Sequence, residues 1–226
     1  MPTDKYHKLG GKKLFYKETG IYKDWPQIKN LPSIDTLVDI GVGTDGTPEL
    51  YNRFNLAHLV LIDPTEEAKN YVDTNLTNRS YSFYKCGVGE KSCELILNVE
   101  QEPGYSSFLE VEDINFRGKP IDRRLVKVNT LDNIMSNEKT IGNLGIKIDT
   151  EGFELNVIKG ASKTLKKANF VIAEVRHNHK SFKNMYSLSE FVEEMHQNDF
   201  ILSMILSASP FISDLCFQPR RFLNNL

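Results

Sequence analysis

The sequence predicts an α/β fold in which a mostly parallel sheet is covered by helices on both faces. Three observations predict it. Apolar runs of strand length alternate with helix-length segments from residue 35 onward. The first run, Leu37-Val-Asp-Ile40, passes directly into a glycine-rich turn, Gly41-Val-Gly43-Thr-Asp45-Gly46. Acids then fall at the ends of successive predicted strands, at Asp39, Asp63, Asp149, Glu151 and Glu174. Ligands of parallel sheets gather outside the carboxyl ends of the strands, so a site is expected there.

Residues 1–33 are polar and aromatic and are expected to form an N-terminal lid or hairpin appendage, with a short strand within 12–17. Residues 34–226 are expected to form the main domain. Strand 36–40 leads through the glycine turn to a helix from Pro48, where proline suits the first turn. Strand 58–62 ends at Asp63-Pro64. Thr65 then caps a helix over 66–76, with Glu66 and Glu67 favourably placed in its first turn. Strand 81–85 runs into Cys86-Gly87-Val88-Gly89. Residues 93–99 and 124–128 read as additional strands around a loop containing Gly104-Tyr-Ser-Ser-Phe108. A helix from Leu131 precedes strand 144–148, and a helix over 153–166 leads to strand 170–175. Ser187 or Ser189 caps a helix through His196, and runs 200–206 and 212–217 form a terminal hairpin.

A chain of 226 residues suits one large domain with a substantial core. Its 40% hydrophobic and 26% charged residues are ordinary for a soluble globular protein. The net charge of −2 gives no general reason to expect nucleic acid or an acidic membrane as partner. Cys86, Cys93 and Cys216 lack metal-ligand spacing, and three cysteines make a poor disulfide framework. Reduced thiols in a cytoplasmic protein are therefore expected. The first residues lack the apolar core of a signal peptide, and no apolar run approaches the roughly 18 residues that span a bilayer. The oligomeric state stays open.

A strand, a glycine turn, a helix and a second strand ending in an acid make a site for an adenosine-containing cofactor. Gly41 and Gly43 let the backbone approach a ligand, and Asp63, followed by Pro64, is placed to accept ribose hydroxyls. The same pattern fits a nicotinamide dinucleotide. Asp39 and Asp45 count against that reading, because a pyrophosphate prefers bare N–H groups and a positive helix end. S-adenosyl-L-methionine carries a sulfonium and an ammonium without phosphate, and tolerates those acids. Cys86 and Gly87, at the end of the next strand, complete the candidate cofactor set.

Lys147-Ile-Asp149-Thr-Glu151-Gly152-Phe-Glu154-Leu-Asn-Val-Ile-Lys-Gly160-Ala resembles the signature of the FkbM family of S-adenosylmethionine-dependent methyltransferases. The resemblance extends over residues 36–218 and includes Val38-Asp39-Ile-Gly41, Leu61-Ile-Asp63-Pro64, Ser106-Ser107, Val128-Asn-Thr-Leu131-Asp132 and Ile172-Ala-Glu174. It implies a Rossmann-like class I methyltransferase sheet of about seven strands, mostly parallel with a reversed last strand. It also implies O-methylation, often of sugar hydroxyls on glycans or natural products. One departure falls in the glycine turn, where the family usually has Gly-Ala-Asn-x-Gly.

Methyl transfer to a hydroxyl requires alignment of the two centres and removal of a proton. Asp149 is the candidate nearest the transferred methyl, with Glu174 or His177 as base. Two close carboxylates would share a proton or bind a divalent cation. Glu151 contacts substrate or complements a helix dipole, whereas Glu154 is expected on a helix surface. His177 and His179 would point to one side of an extended segment, toward a metal or an anionic substrate, or have no role in a polar loop. In the 104–108 loop, Tyr105 offers a face for sugar stacking and Ser107 a hydroxyl. Arg117, Lys119, Arg123 and Arg124 would meet an anionic acceptor or form a solvated face. The expected activity is S-adenosylmethionine-dependent O-methylation of a sugar, glycan or glycosylated natural product. A nicotinamide-dependent sugar or sugar-nucleotide oxidoreductase is the first alternative, although no Tyr-x-x-x-Lys stands in the right region. A non-catalytic cofactor-binding scaffold is the second.

Overall fold

The computed structural model describes residues 7–9, 12–14, 25–112, 119–138, 142–177, 181–209 and 211–223. A short antiparallel hairpin, β1 (His7–Leu9) and β2 (Lys12–Leu14), comes first. The main alternation then runs β3 (Thr36–Ile40), α1 (Pro48–Arg53), β4 (His58–Ile62), α2 (Glu66–Asn75), β5 (Tyr81–Tyr84) and β6 (Gly87–Val88). It continues through β7 (Cys93–Val99), β8 (Asp122–Asn129), α3 (Leu131–Ser136), β9 (Leu144–Ile148), α4 (Glu154–Lys159) and α5 (Ser162–Leu165). The last elements are β10 (Ala168–Arg176), α6 (Leu188–Gln197), β11 (Phe200–Ala208), β12 (Ile212–Pro219) and α7 (Arg220–Leu223).

Every residue of β3, β4 and β9 is buried, as strands covered on both faces require. Seven strands pair in the order β11-β12-β10-β9-β3-β4-β5. Only β12 is reversed in this sheet, pairing antiparallel with β10 on one side and β11 on the other. This is the sheet expected from the family resemblance. The extra strands lie apart, where β7 and β8 pair antiparallel and β6 joins β8 in a three-stranded sheet.

Alternation along each central strand divides the core in two. Val38, Ile40, Ile146, Ile148, Val171 and Ala173 pack under α3, α4, α5 and α6. Leu37, Leu59, Leu61, Phe170 and Ile172 pack on the other face, against α1, α2 and the segment carrying Trp25, Ile28 and Leu31. That segment precedes residue 34 but is continuous with the core. Local capping follows the sequence. Thr65 accepts the Ala68 N–H at 3.2 Å, and Ser187, rather than Ser189, forms a capping box with Glu190.

The helix expected over 153–166 is broken. Glu154–Lys159 ends at Gly160, and a separate turn forms over Ser162–Leu165. A Cβ on Gly160 would lie 2.1 Å from the Gly89 carbonyl oxygen, so this close approach admits only glycine. The freed N–H groups find a partner in another helix: Asp132 on α3 accepts from Lys163 N at 2.9 Å and Thr164 N at 2.8 Å. Helical periodicity cannot register a backbone contact made across about seventy residues. Gly160→Ala is expected to destabilise the fold by about 1–3 kcal/mol, the usual range for overpacking. An unchanged urea midpoint would show that the contact can relax without cost.

Candidate active site

The glycine turn is held from both sides. Gly41 N donates to Ile62 O on β4 at 2.9 Å, while Asp149 N donates to Ile40 O at 2.9 Å. Gly41 has φ +83°, and a Cβ there would sit 1.6 Å from the Asp149 carbonyl oxygen. No side chain is compatible with that approach, which sets the turn against the end of β9. Gly43 N donates to Asp63 Oδ2 at 3.0 Å, and Asp63 Oδ1 accepts from Thr65 N at 2.8 Å and Thr65 Oγ1 at 2.6 Å. Asp63 therefore ties the turn to the β4–α2 connection, with Pro64 half-buried between its partners. Burial, opposed by these donors, holds its carboxyl above the usual range. Asp45 is exposed on the turn, and its carboxyl is raised by partial desolvation and then by Asp149.

Asp39 is fully buried and points toward α1. Its Oδ2 accepts from Thr47 Oγ1 at 3.1 Å and from the Tyr51 hydroxyl, leaving Oδ1 without a hydrogen-bond partner among the described residues. Thr47 stands at the N-cap of α1 but turns its hydroxyl to Asp39. Burial raises the Asp39 carboxyl to about 6 against the pull of Lys147.

Across the register from Asp39 on β9 lies Lys147, only 3% exposed. Its ammonium meets Asp149 Oδ2 at 3.2 Å. Burial opposes the charged form, but Asp149, Asp214, Asp39 and Glu174 outweigh it and hold the lysine above its usual value. Arg176, also buried, pairs with Glu151 and stands 3.7 Å from Glu174 Oε1. Glu151 adopts φ +53°, an uncommon conformation for a side-chain-bearing residue. Carboxylate oxygens of Asp149, Glu151 and Glu174 all lie within 4.8 Å of one another. The Glu174 carboxyl is pushed well above its ordinary value by burial, then by Asp149 and Glu151. Asp149 and Glu174 thus come together, as their strand-end positions predict.

The 102–108 loop lies over the same opening. A Cβ on Gly43 would stand 3.6 Å from Gly104 Cα, so the loop passes directly above the glycine turn. Tyr105 is 52% exposed, with Glu151, Glu174, Asp45 and Glu102 around its phenol. The Ser107 hydroxyl is engaged, donating to Glu151 O at 2.8 Å and accepting from Leu109 N at 3.1 Å. It fastens the loop to the 149–152 turn. Cys86 follows β5 with its thiol raised to about 11 by burial, and Phe108 covers Gly87, where a Cβ would meet its ring at 2.5 Å.

The His177 ring Nε2 lies 2.9 Å from Ser213 Oγ, and its backbone N–H donates to Phe211 O. His179 and Arg117 lie outside the described residues. Arg124 is engaged by Glu67 and Asp122. Glu154 corrects the expectation of a surface residue, being 1% exposed. Its Oε1 accepts from Thr150 N at 2.9 Å and Gly152 N at 3.0 Å, and its Oε2 from Tyr186 OH at 2.6 Å. It clasps the turn that carries Glu151. Sequence reasoning gave no role to Lys147, Tyr51 or Asp214, and noted Arg176 only within the cluster that continues to His179. The available signal was Lys147-x-Asp149 in the signature and Glu174-x-Arg176 at the end of β10, each pair on one side of its strand.

Fold and strand-end site define the class, a Rossmann-like sheet of the methyltransferase type. A proposed S-adenosylmethionine-dependent methyltransferase from Listeria monocytogenes is similar, with 8% identity and a TM-score of 0.50 over 90% of this chain and 99% of that one. A SAM-dependent methyltransferase from Leishmania major matches with 10% identity and a TM-score of 0.51 over 88% and 71%. Such low identity speaks for the fold alone. A comparison with curated proteins gives no match. The methyltransferase FkbM domain profile matches residues 39–206, and the chain belongs to that family. Among the described residues no helix is long and apolar enough to cross a membrane.

Asp39 provides a test of the site's electrostatics. Its native carboxyl, at about 6 against an ordinary 3.8, binds its proton more tightly than the unfolded chain does. Wild-type stability should therefore fall relative to Asp39→Asn as pH rises through that window, by up to about 3 kcal/mol, and the difference should be constant above it. Urea unfolding of both proteins at about pH 4 and 7 measures this. A constant difference at the two pH values would contradict the buried, raised carboxyl.

Proposed function

We propose that the chain transfers a methyl group from S-adenosylmethionine to a hydroxyl of a sugar, glycan or glycosylated natural product. The observation that carries this reading is the contact of the glycine turn with the end of β9, which brings Gly41, Asp149 and Glu174 to one opening. The donor chemistry of that opening fits the group. Its acids suit a cationic ligand, and Asp39 Oδ1, two residues before the turn, is a buried acceptor with no hydrogen-bond partner among the described residues. A pyrophosphate is served poorly, because α1 has six residues, starts at Pro48 and carries Glu49 in its first turn.

When bound, S-adenosylmethionine supplies a methyl group made electrophilic by its sulfonium. Gly41, Gly43 and Asp45 would line its amino-acid side, Asp63 and Pro64 would take the ribose, and Cys86 and Gly87 would border the base. Asp149 offers negative charge near the reacting centre. Glu174 is the base, and a carboxylate with a raised affinity for protons accepts one from a weakly acidic hydroxyl more readily. Glu151 and Tyr105 border the acceptor space, with the phenol ring as a stacking face. Ser107 acts by holding that loop to the turn. Lys147 and Arg176 already supply positive charge among the carboxylates, which disfavours a divalent cation there. His177, bound to Ser213, is given no base role.

Incubation with methyl-labelled S-adenosylmethionine and fractions of neutral glycosides and polysaccharides tests the proposal. Label in alkali-stable methyl ethers is expected, and label confined to methyl esters or N-methyl groups would overturn the hydroxyl acceptor. Asp63→Ala should weaken S-adenosylhomocysteine binding about tenfold, the order expected for losing a charge-assisted hydrogen bond. Unchanged affinity would remove Asp63 from the ribose role. Glu174→Gln should lower turnover about 100-fold with donor affinity within about threefold. Normal turnover would eliminate Glu174 as the base.

A further inference from the structure

Four strands of the sheet direct acids toward one buried ammonium. Asp39 on β3 is the register partner of Lys147 on β9, Asp149 ends β9, and Glu174 on β10 is the register partner of Asp214 on β12. Lys147 Nζ is 3.2 Å from Asp149 Oδ2, and all four acids act on it. The surrounding charges are Arg176 beside Glu174, Glu151 beside Arg176, Glu49 acting on Asp214 from α1, Asp45 of the glycine turn facing Asp149 and Lys147, and Glu154 of α4 facing Asp149. Burying a lysine is costly unless its charge is used. Here the charge is spent on the residue whose carbonyl touches the glycine turn.

We infer that Lys147 is a positioning residue that holds the Asp149 carboxylate beside Gly41 and offsets the acids of the neighbouring strands, and so sets the charge with which the crevice receives a cationic donor. The inference rests on the donor reading above. Without the ammonium, carboxylates from four strands would face one another in a poorly solvated patch. Asp39 and Asp214, whose carboxyls Lys147 holds down, would relieve the repulsion by taking up protons, because loss of a nearby cation raises a carboxylate's pKa. A neutral acid no longer attracts a sulfonium. An uncharged replacement should then lose donor affinity at a pH where the wild type retains it. A lysine needed only for packing would instead weaken every ligand equally at all pH values.

The test is calorimetric titration of the full chain with S-adenosylmethionine and with S-adenosylhomocysteine, which lacks the sulfonium charge, across about pH 5.5 to 9. In Lys147→Met the midpoint of the pH dependence for S-adenosylmethionine should move up by about one unit or more. In Lys147→Arg, which keeps the charge, it should stay near the wild type. S-adenosylhomocysteine should show a smaller pH step in all three proteins. An unmoved midpoint in a folded methionine variant, with both ligands weakened alike, would overturn the inference. If that variant does not fold, Asp39→Asn decides: it should shrink the pH step, and an unchanged step there would overturn the inference too. Binding by the wild type with an unmoved midpoint defeats this inference alone, whereas absence of binding by the folded wild type defeats the donor reading and this inference with it.

Discussion

The buried ammonium of Lys147 is the interaction on which the site depends. Asp39, Asp149, Glu174 and Asp214 come from four strands of one sheet, and only a positive charge among them makes that crowding tolerable. Lys147 is matched by Arg176, whose guanidinium joins Glu151 to the neighbourhood of Glu174. Acids still outnumber these two cations. Burial meanwhile raises the proton affinity of Asp39, Glu174 and Asp214, so the two cations and the desolvation act against each other.

Backbone geometry places this charge. Gly41 touches the Asp149 carbonyl, so the turn and the end of β9 form one unit rather than two neighbouring loops. Glu154 and Ser107 stabilise the other side of that unit, the first through backbone N–H groups of the 149–152 turn and the second through the Glu151 carbonyl. Glu151 is held in its left-handed conformation by these bonds and by Arg176. Strain of this kind persists where the surroundings over-determine it.

The sheet was legible in the sequence because strands covered on both faces write continuous apolar runs, as in β3, β4 and β9. Thr65 was legible because a cap acts within one turn. Strand-end acids were legible as a set, and Asp149 and Glu174 do meet. What escaped depended on contacts distant in sequence. Gly160 breaks a helix because Gly89 is pressed against it, and Glu154 is buried because Tyr186 and the 149–152 turn need its oxygens. The partner of the His177 ring, Ser213, likewise lies on a strand distant in sequence. Asp39 was legible as an acid two residues before the glycine turn, but its turn toward Tyr51 on α1 follows from how that helix packs.

Family membership fixes methyl transfer as the class of reaction, while in the proposed function the acceptor is chosen by the loop that carries Tyr105 and by the chemistry around Glu174. The central claim is that the acid-rich strand ends receive a cationic methyl donor rather than a dinucleotide. Calorimetric titration of the wild-type chain with S-adenosylmethionine, S-adenosylhomocysteine and NAD tests it most directly. Saturable binding of both sulfur ligands without binding of NAD is the predicted result. Binding of NAD in preference to S-adenosylmethionine would contradict the account.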